Sequence, residues 1–361
     1  APTEIYTLSL HDALPILDEI AQYSGEITLI LGGFGVEADP SHHPQYQNIA
    51  YVVSGGKISQ KIQKRHLPTY DVFDEKRYFW SGEDYSPVII KNMPLGIVIC
   101  EDLWDAEYQV DVAKKLVENG AKSLIIINGS PYTVGKQIIR ENLVKSKVGK
   151  LGVPIAYLNL VGGQDELVFD GRSFVVDANN NLQIRAPFCQ EVLLGFDLTS
   201  DGQIFPIHAK ILKNIPKDWH PANLIDPLQN INQEIIDVLA LNLRDYFNKT
   251  GAFKRIVLGL SGGIDSAFTA YIAMQAVGAD KVTAILMPSK YSSKGSVDDS
   301  VQLCKTLNIE YLIVPIKNSH KLFEEEFNNT FKGSINSESD DLALQNLQSR
   351  LRGVILMYYS N

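Results

Sequence analysis

Two short stretches carry residue types and spacings suited to chemistry. In IVLGLSGGIDSAF (Ile256–Phe268), an apolar run empties into Ser261-Gly262-Gly263, with Asp265 and Ser266 close behind. A strand, a glycine turn and a helix make a natural anion site. The glycines let backbone N–H groups approach oxygens, and a helix N-terminus favours negative charge. Asp265 would repel a bare phosphate, but it fits beside a magnesium ion that bridges it to a polyphosphate. By residue types alone, the same turn equally fits an ordinary strand-to-helix connection capped by Asp265 or Ser266. In LGIVICEDLW (Leu95–Trp104), Cys100 ends an apolar run, with Glu101 and Asp102 beside it. A lone strand-end cysteine is usually a small buried residue. To act as a nucleophile it needs a cation or base to favour the thiolate, and donors for the oxyanion.

The elements that must position these residues fall into two blocks. From about Leu17 to Leu212 the chain is rich in strand patterns, among them EITLILGGF, QNIAYVVSGGKIS, PVIIKNMPLGIVIC, AKSLIIING, PIAYLNLVGG and RSFVVDANNNLQIR. Gly55-Gly56 and Asn179-Asn180-Asn181 mark hairpin turns. Helical patterns intervene at EYQVDVAKKLVENG and GKQIIRENLVKSKVGK, which predicts a layered α/β domain. KNIPKDWHPANLIDP, with three prolines, reads as a linker. Beyond it, LQNINQEIIDVLALNLRDYFNKTG has helical spacing. KRIVLGL, DSAFTAYIAMQAVG, KVTAILMP, SVDDSVQLCKTLN and EYLIVPI then alternate strand with helix, the pattern of a parallel doubly wound sheet. Ser296, with Asp299 three residues on, predicts a capped helix start. No internal repeat is evident.

Composition narrows the class. The 361 residues are 45% hydrophobic and 21% charged, ordinary for a globular protein of two domains. The 33 Lys+Arg against 42 Asp+Glu give a formal net charge of -9, which disfavours nucleic acid or an anionic membrane as the main partner. No apolar run is long enough to span a bilayer, and no basic segment precedes an apolar stretch near residue 1. Cys100, Cys189 and Cys304 make neither a disulfide framework nor a zinc site, which suits a reducing cytoplasm.

The glycine loop is neither G-x-x-x-x-G-K-[ST] nor G-x-G-x-x-G. It resembles the S-G-G-x-D-S loop of the ATP pyrophosphatases, which adenylate a substrate and release pyrophosphate. LMPSKYSSKGSVDDS (Leu286–Ser300) resembles the segment after the second strand of NAD synthetases, and LQNLQSRLRGVILM (Leu344–Met357) resembles their helix beside deamido-NAD. The resemblance implies that Gly259, Leu260, Ser261, Gly262, Gly263, Ile264, Asp265, Ser266 and Met287 hold ATP. It also implies that Asp265 binds Mg2+ and that Asn346 and Arg350 lie near deamido-NAD. The Asn346 helix also reads as a surface stripe over a core of Leu344, Leu347 and Leu351, on a different face.

KRHLPTYDVFDEKRYF (Lys64–Phe79) resembles the lysine segment of the nitrilase superfamily, in the variant found in glutamine-dependent NAD synthetases. That family attacks amides with a Glu–Lys–Cys triad. The resemblance implies Cys100 as nucleophile, Lys64 as the cation beside the thiolate and oxyanion, and Glu75 as support. It makes Tyr70, Glu101, Ser130 and Lys136 the glutamine pocket, the last two from GSPYTVGK. The expected fold is a nitrilase-like α-β-β-α sandwich over 17–213, a linker over 214–227, and a doubly wound synthetase domain over 228–361. The implied function is glutamine-dependent amidation of deamido-NAD with ATP and Mg2+, in a homo-oligomeric ligase with no nucleic-acid or membrane partner. A thiolate favoured by Lys64 makes Cys100 the fastest of the three cysteines to alkylate.

The chain departs from the family at its ends. The strand-end general-base glutamate is not found in its expected setting; Glu19, Glu26 and Glu37 are the nearest carboxylates. Residues 1–16, including EIYTLSLHDALPI, resemble translated sequencing adapter, and the family continues beyond GVILMYYSN. The expectation is therefore a piece truncated at both ends. Two rival functions are a catalytically dead fragment that at most binds nucleotide and another glutamine-fed ATP pyrophosphatase such as a GMP synthetase. The last group uses other glutaminase folds, which ICEDLW argues against.

Overall fold

The structure, a computed structural model, describes residues 16–37, 45–199, 202–206, 225–330 and 337–361. Most of the expected linker at 214–227 and most of the 1–16 segment lie outside the described residues. The chain divides into two compact units, 1–161 with 169–229, and 162–168 with 230–361.

The first unit is built on two sheets. β1 (Leu29–Glu37), β2 (Gln45–Ser54) and β3 (Lys57–Gln63) form an antiparallel sheet in that order. Gly55 and Gly56 turn β2 into β3 with φ of 59° and 79°, a conformation that a side chain would strain. The second sheet has the order β11-β10-β7-β6-β5-β4. Its centre is the parallel trio β5 (Met93–Ile99), β6 (Ser123–Asn128) and β7 (Ile155–Asn159). β4 (Val88–Ile90) pairs antiparallel on one side, β10 (Phe174–Val176) and β11 (Leu182–Arg185) on the other. Asp177 accepts from the N–H groups of Asn179 and Asn181 and so fixes the β10–β11 turn.

Apolar layers stack these elements. Ala50, Val52 and Ile62 of the first sheet pack with Leu95, Ile97 and Ile99 of the second. The far face of the second sheet buries Val98, Leu124, Ile126 and Ile155 against α2 (Val112–Glu118) and α3 (Lys136–Leu151). The far face of the first sheet covers Leu17 and Ala21 of a helix, α1, described over 16–23. The result is the expected α-β-β-α sandwich. Each fully buried Leu or Ile contributes about 1.5–3 kcal/mol, so these layers outweigh the exposed ion pairs. Two hairpins remain: β12 (Phe196–Leu198) with β13 (Ile204–Pro206) in this unit, and β8 (Val161–Gln164) with β9 (Leu167–Asp170), whose residues 162–168 are counted with the second unit.

The second unit has a parallel sheet, β14 (Ile256–Leu260), β15 (Val282–Leu286) and β16 (Glu310–Ile313), with Leu260, Leu286 and Ile313 level at its carboxyl edge. One face packs on α4 (Ile231–Thr250), α5 (Ile264–Val277) and α6 (Lys294–Leu307) through Leu258, Ala270, Ala273, Ala284 and Cys304. On the other face, Ile285, Met287 and Ile316 pack with Ile355 and Leu356. The last two belong to α8 (Ser337–Ser360), which follows α7 (Lys317–Thr330). Helices on both faces make the sheet doubly wound, as expected. The cap of α6 corrects the sequence expectation. Ser293, in extended conformation, caps the helix by accepting from the Ser296 N–H at 3.0 Å, whereas Ser296 lies inside the first turn.

Candidate functional site

Cys100 leaves β5 in a left-handed backbone conformation, φ 45°, and opens the turn Cys100–Leu103. A non-glycine residue held there costs on the order of 1–3 kcal/mol, and such strain clusters at functional sites. Asp102, fully buried, holds it in place. Its Oδ1 accepts from the Arg65 and His66 N–H groups at 2.9 and 2.7 Å, and its Oδ2 accepts from the Ile99 N–H at 3.3 Å. Arg65 adds an ion pair at 3.5 Å. Asp102 therefore ties the chain after Lys64 to the chain around Cys100.

Lys64, 2% exposed, donates through Nζ to Glu75 Oε1 at 2.6 Å. Glu75 Oε2 is buried and has no hydrogen-bond partner among the described residues. Glu101, also buried, accepts from Tyr70 Oη at 2.8 Å on Oε2 and from Tyr108 Oη at 3.3 Å on Oε1. Ser130 follows β6, and its N–H donates to Asn159 Oδ1 at 3.0 Å. Arg140 donates to Ser130 Oγ and O, and clasps Asp170 at 2.8 and 2.9 Å. Lys136, the first residue of α3, lies 4.6 Å over the Trp104 ring. Lys64, Glu75, Glu101 and Asp102 all act electrostatically on Cys100, and Lys136 interacts with both Cys100 and Glu101. The structure thus brings together the thiol, the lysine–glutamate pair and the charged residues expected around them.

The electrostatic balance around the thiol has two sides. Cys100 keeps partial exposure, yet burial pushes its thiol above the ordinary range, and the pull of Lys64 does not overcome it. Glu75, Glu101 and Asp102 oppose Lys64. Burial thus works against the thiolate, while Lys64 works for it. Burial also raises Glu101, against the tyrosine bonds and Lys64, and it lowers Lys136, helped by Arg140.

The glycine loop is open by contrast. Ser261 to Asp265 are exposed, and Gly263 stands at the helix start with no side-chain cap. Asp265 does not cap the helix. Ser266 Oγ accepts from the Ser261 N–H and donates to the Gly263 carbonyl. Gly262, at φ 84°, lies so close to α6 that a Cβ would meet the Ser296 carbonyl at 2.6 Å. At Gly259 a Cβ would meet the Met287 methyl at 3.1 Å, which places buried Met287 against the strand that feeds the loop. Ile264 is 81% exposed. Asn346 and Arg350 are exposed on α8, while Leu344, Leu347 and Leu351 are half-buried. Arg352, which the sequence analysis passed over, donates to the Met287 carbonyl at 3.4 Å. Tyr108, Arg140 and Asp170 were also missed. They carry no local motif and become visible only through their partners.

Glu19 and Glu26 are exposed, at α1 and in the turn after it; Glu37 ends β1. Among the described residues, no helix is long and apolar enough to cross a membrane.

Residues 12–199 match the carbon–nitrogen hydrolase family. The chain belongs to that family. Residues 235–361 match the NAD synthase family. Glutamine-dependent NAD(+) synthetases are similar over nearly the whole chain. The protein of that name from Rhodobacter capsulatus is 36% identical over 355 residues, covering 98% of this chain and 59% of its own length. The one from Thermotoga maritima is 36% identical, covering 96% of this chain and 61% of its own. The structure of the Acinetobacter baumannii glutamine-dependent NAD+ synthetase, in complex with ADP, superposes with TM-score 0.83 at 30% identity. It covers 98% of this chain and 62% of that one. The chain thus spans about three fifths of the length of these relatives.

Proposed function

We propose that the chain serves a glutamine-hydrolysing NAD(+) synthase, a carbon–nitrogen ligase. Ammonia is released from glutamine at Cys100 and consumed in the ATP-dependent amidation of deamido-NAD. The supporting observation is the buried Lys64–Glu75 pair acting on a strained Cys100, in a chain that also matches the NAD synthase family. In the amidase half, the Cys100 sulfur attacks the carboxamide carbon, the C–N bond breaks and the amide nitrogen leaves as ammonia, and water then cleaves the resulting thioester to glutamate and the free thiol. Lys64 sits where it can stabilise the thiolate as it forms and the oxyanion. Since burial raises the thiol, its proton must move as substrate reacts, and the departing amide nitrogen takes it up; Glu75 holds Lys64 in place through Oε1. Tyr70, Glu101, Ser130 and Lys136 hold the glutamine.

In the second half, the amides of the first turn of α5, which no side chain caps, and the glycines at 259, 262 and 263 receive the ATP phosphates. The deamido-NAD carboxylate takes the adenylyl group, and ammonia displaces AMP. The loop suits a magnesium ion that arrives with polyphosphate. Asp265 offers one exposed carboxylate, phosphates supply further oxygens, and no cluster of three ligating side chains occurs among the described residues. Such an ion neutralises phosphate charge. Asn346 and Arg350 contact the dinucleotide. We place the protein in the cytoplasm, as a homo-oligomer.

The two halves are tested separately. Glutamine is expected to shield Cys100 from iodoacetamide, and magnesium–ATP to bind in calorimetry and weaken with Asp265→Ala. Failure of glutamine to shield Cys100 removes the amidase half; failure of ATP to bind a folded sample removes the synthetase half.

A further inference from the structure

We infer that Tyr108 is a positioning residue for substrate recognition, fixing through Glu101 the carboxylate that receives the α-ammonium group of glutamine. This rests on the amidase function proposed above. Glu101 is 5% exposed, so its charge must be kept by hydrogen bonds rather than water. Two hydroxyls supply them, one per oxygen: Tyr70 at 2.8 Å and Tyr108 at 3.3 Å. The two donors are built differently. Tyr70 is half exposed, in the segment after Lys64. Tyr108 is held from behind, its ring stacked on His66 at 3.9 Å with planes 12° apart. His66 is buried. Its Nε2 donates to the Val110 carbonyl at 2.8 Å, and its N–H is one of the three amides gathered by Asp102. The Tyr108 hydroxyl is thus carried on the same buried frame that joins Lys64 to Cys100. It fixes the orientation of Glu101 relative to the thiol, and with it the distance between the ammonium site and the reacting carbon.

A ring that merely packs on His66 would not need its hydroxyl. Tyr108→Phe keeps the ring and removes the donor. The readout is protection of Cys100 from iodoacetamide by two ligands, L-glutamine and 4-carbamoylbutanoate, the same amide without the amino group. For Tyr108→Phe, the glutamine concentration giving half-protection is expected to rise about tenfold, in line with loss of a hydrogen bond to a charged group. Half-protection by 4-carbamoylbutanoate, labelling without ligand, and the thermal midpoint are expected to stay as in the unsubstituted chain. Equal half-protection by glutamine in both proteins overturns the inference and leaves the amidase function standing. Equal losses for both ligands also overturn it, because they show general damage to the pocket. Absence of glutamine protection in the unsubstituted chain overturns the amidase function and this inference together.

Discussion

The thiol site and the glycine loop solve opposite problems. Around Cys100 the charges are buried and already paired: Lys64 with Glu75, Arg65 with Asp102, Arg140 with Asp170. Around Ser261–Ser266 the polar groups face water, and the hydrogen bonds are local ones among serines and backbone. A site that makes and breaks a covalent bond needs dipoles in place before the substrate arrives. A site that takes a highly charged, metal-accompanied polyphosphate can leave its amides solvated until then.

Two Asp→Ala substitutions give the sharpest contrast. Asp170→Ala strands the fully buried Arg140 guanidinium, and removing one partner of such a pair costs about 3–5 kcal/mol. Asp265→Ala, at an exposed position, is expected to change stability by no more than about 0.5 kcal/mol. Urea midpoints compare the two, and similar costs would break the contrast. Gly262→Ala comes next. A left-handed φ and a backbone contact at 2.6 Å lead us to expect a loss of about 1–3 kcal/mol together with loss of magnesium–ATP binding. A variant that binds ATP normally would show that the loop tolerates displacement from α6.

Two pH experiments probe the buried side. Cys100 alkylation is expected to be slow at neutral pH and to climb past the range of an ordinary thiol, because burial raises its pKa. Lys64→Met removes the strongest favourable charge acting on the thiol, so labelling should slow further, about tenfold for each unit of added shift. Faster labelling in that variant would refute the role of Lys64. Glutamine protection tests Glu101. Its pKa is raised, so on acidification it takes up its proton at higher pH than an ordinary glutamate. The neutral acid no longer attracts an ammonium group, and half-protection should therefore weaken from that higher pH downward. A midpoint at the ordinary glutamate value would count against the site. The smallest effect is expected on α8. Asn346→Ala and Arg350→Ala should leave stability within about 0.5 kcal/mol while weakening deamido-NAD binding.

Much of this was legible in the sequence, for identifiable reasons. The strand pattern of QNIAYVVSGGKIS and its Gly55-Gly56 turn gave β2 and β3, and the run ending at Leu260 gave β14 and its loop. What was missed depends on three-dimensional sums. Ser292, Ser293 and Ser296 are all eligible caps by type, and only the point where the backbone leaves the extended region selects Ser293. Arg140 and Asp170 are thirty residues apart, so no local pattern pairs them. The direction of the Cys100 shift is a contest between burial and five or so charges, whose outcome depends on depth and distance rather than on residue type.

Asp102 has a consequence for how long the thiol site stays assembled. Its carboxylate is the acceptor for two successive amides, those of Arg65 and His66. Those two hydrogens can trade with deuterium only when the lysine-bearing segment lifts away from the cysteine turn. Their exchange rate is therefore a clock for opening of the floor beneath the thiol, readable without substrate, nucleotide or turnover. Slow, matched exchange at both positions would mark a floor that opens as one piece, and a faster Arg65 amide would mark one that peels from the strand end.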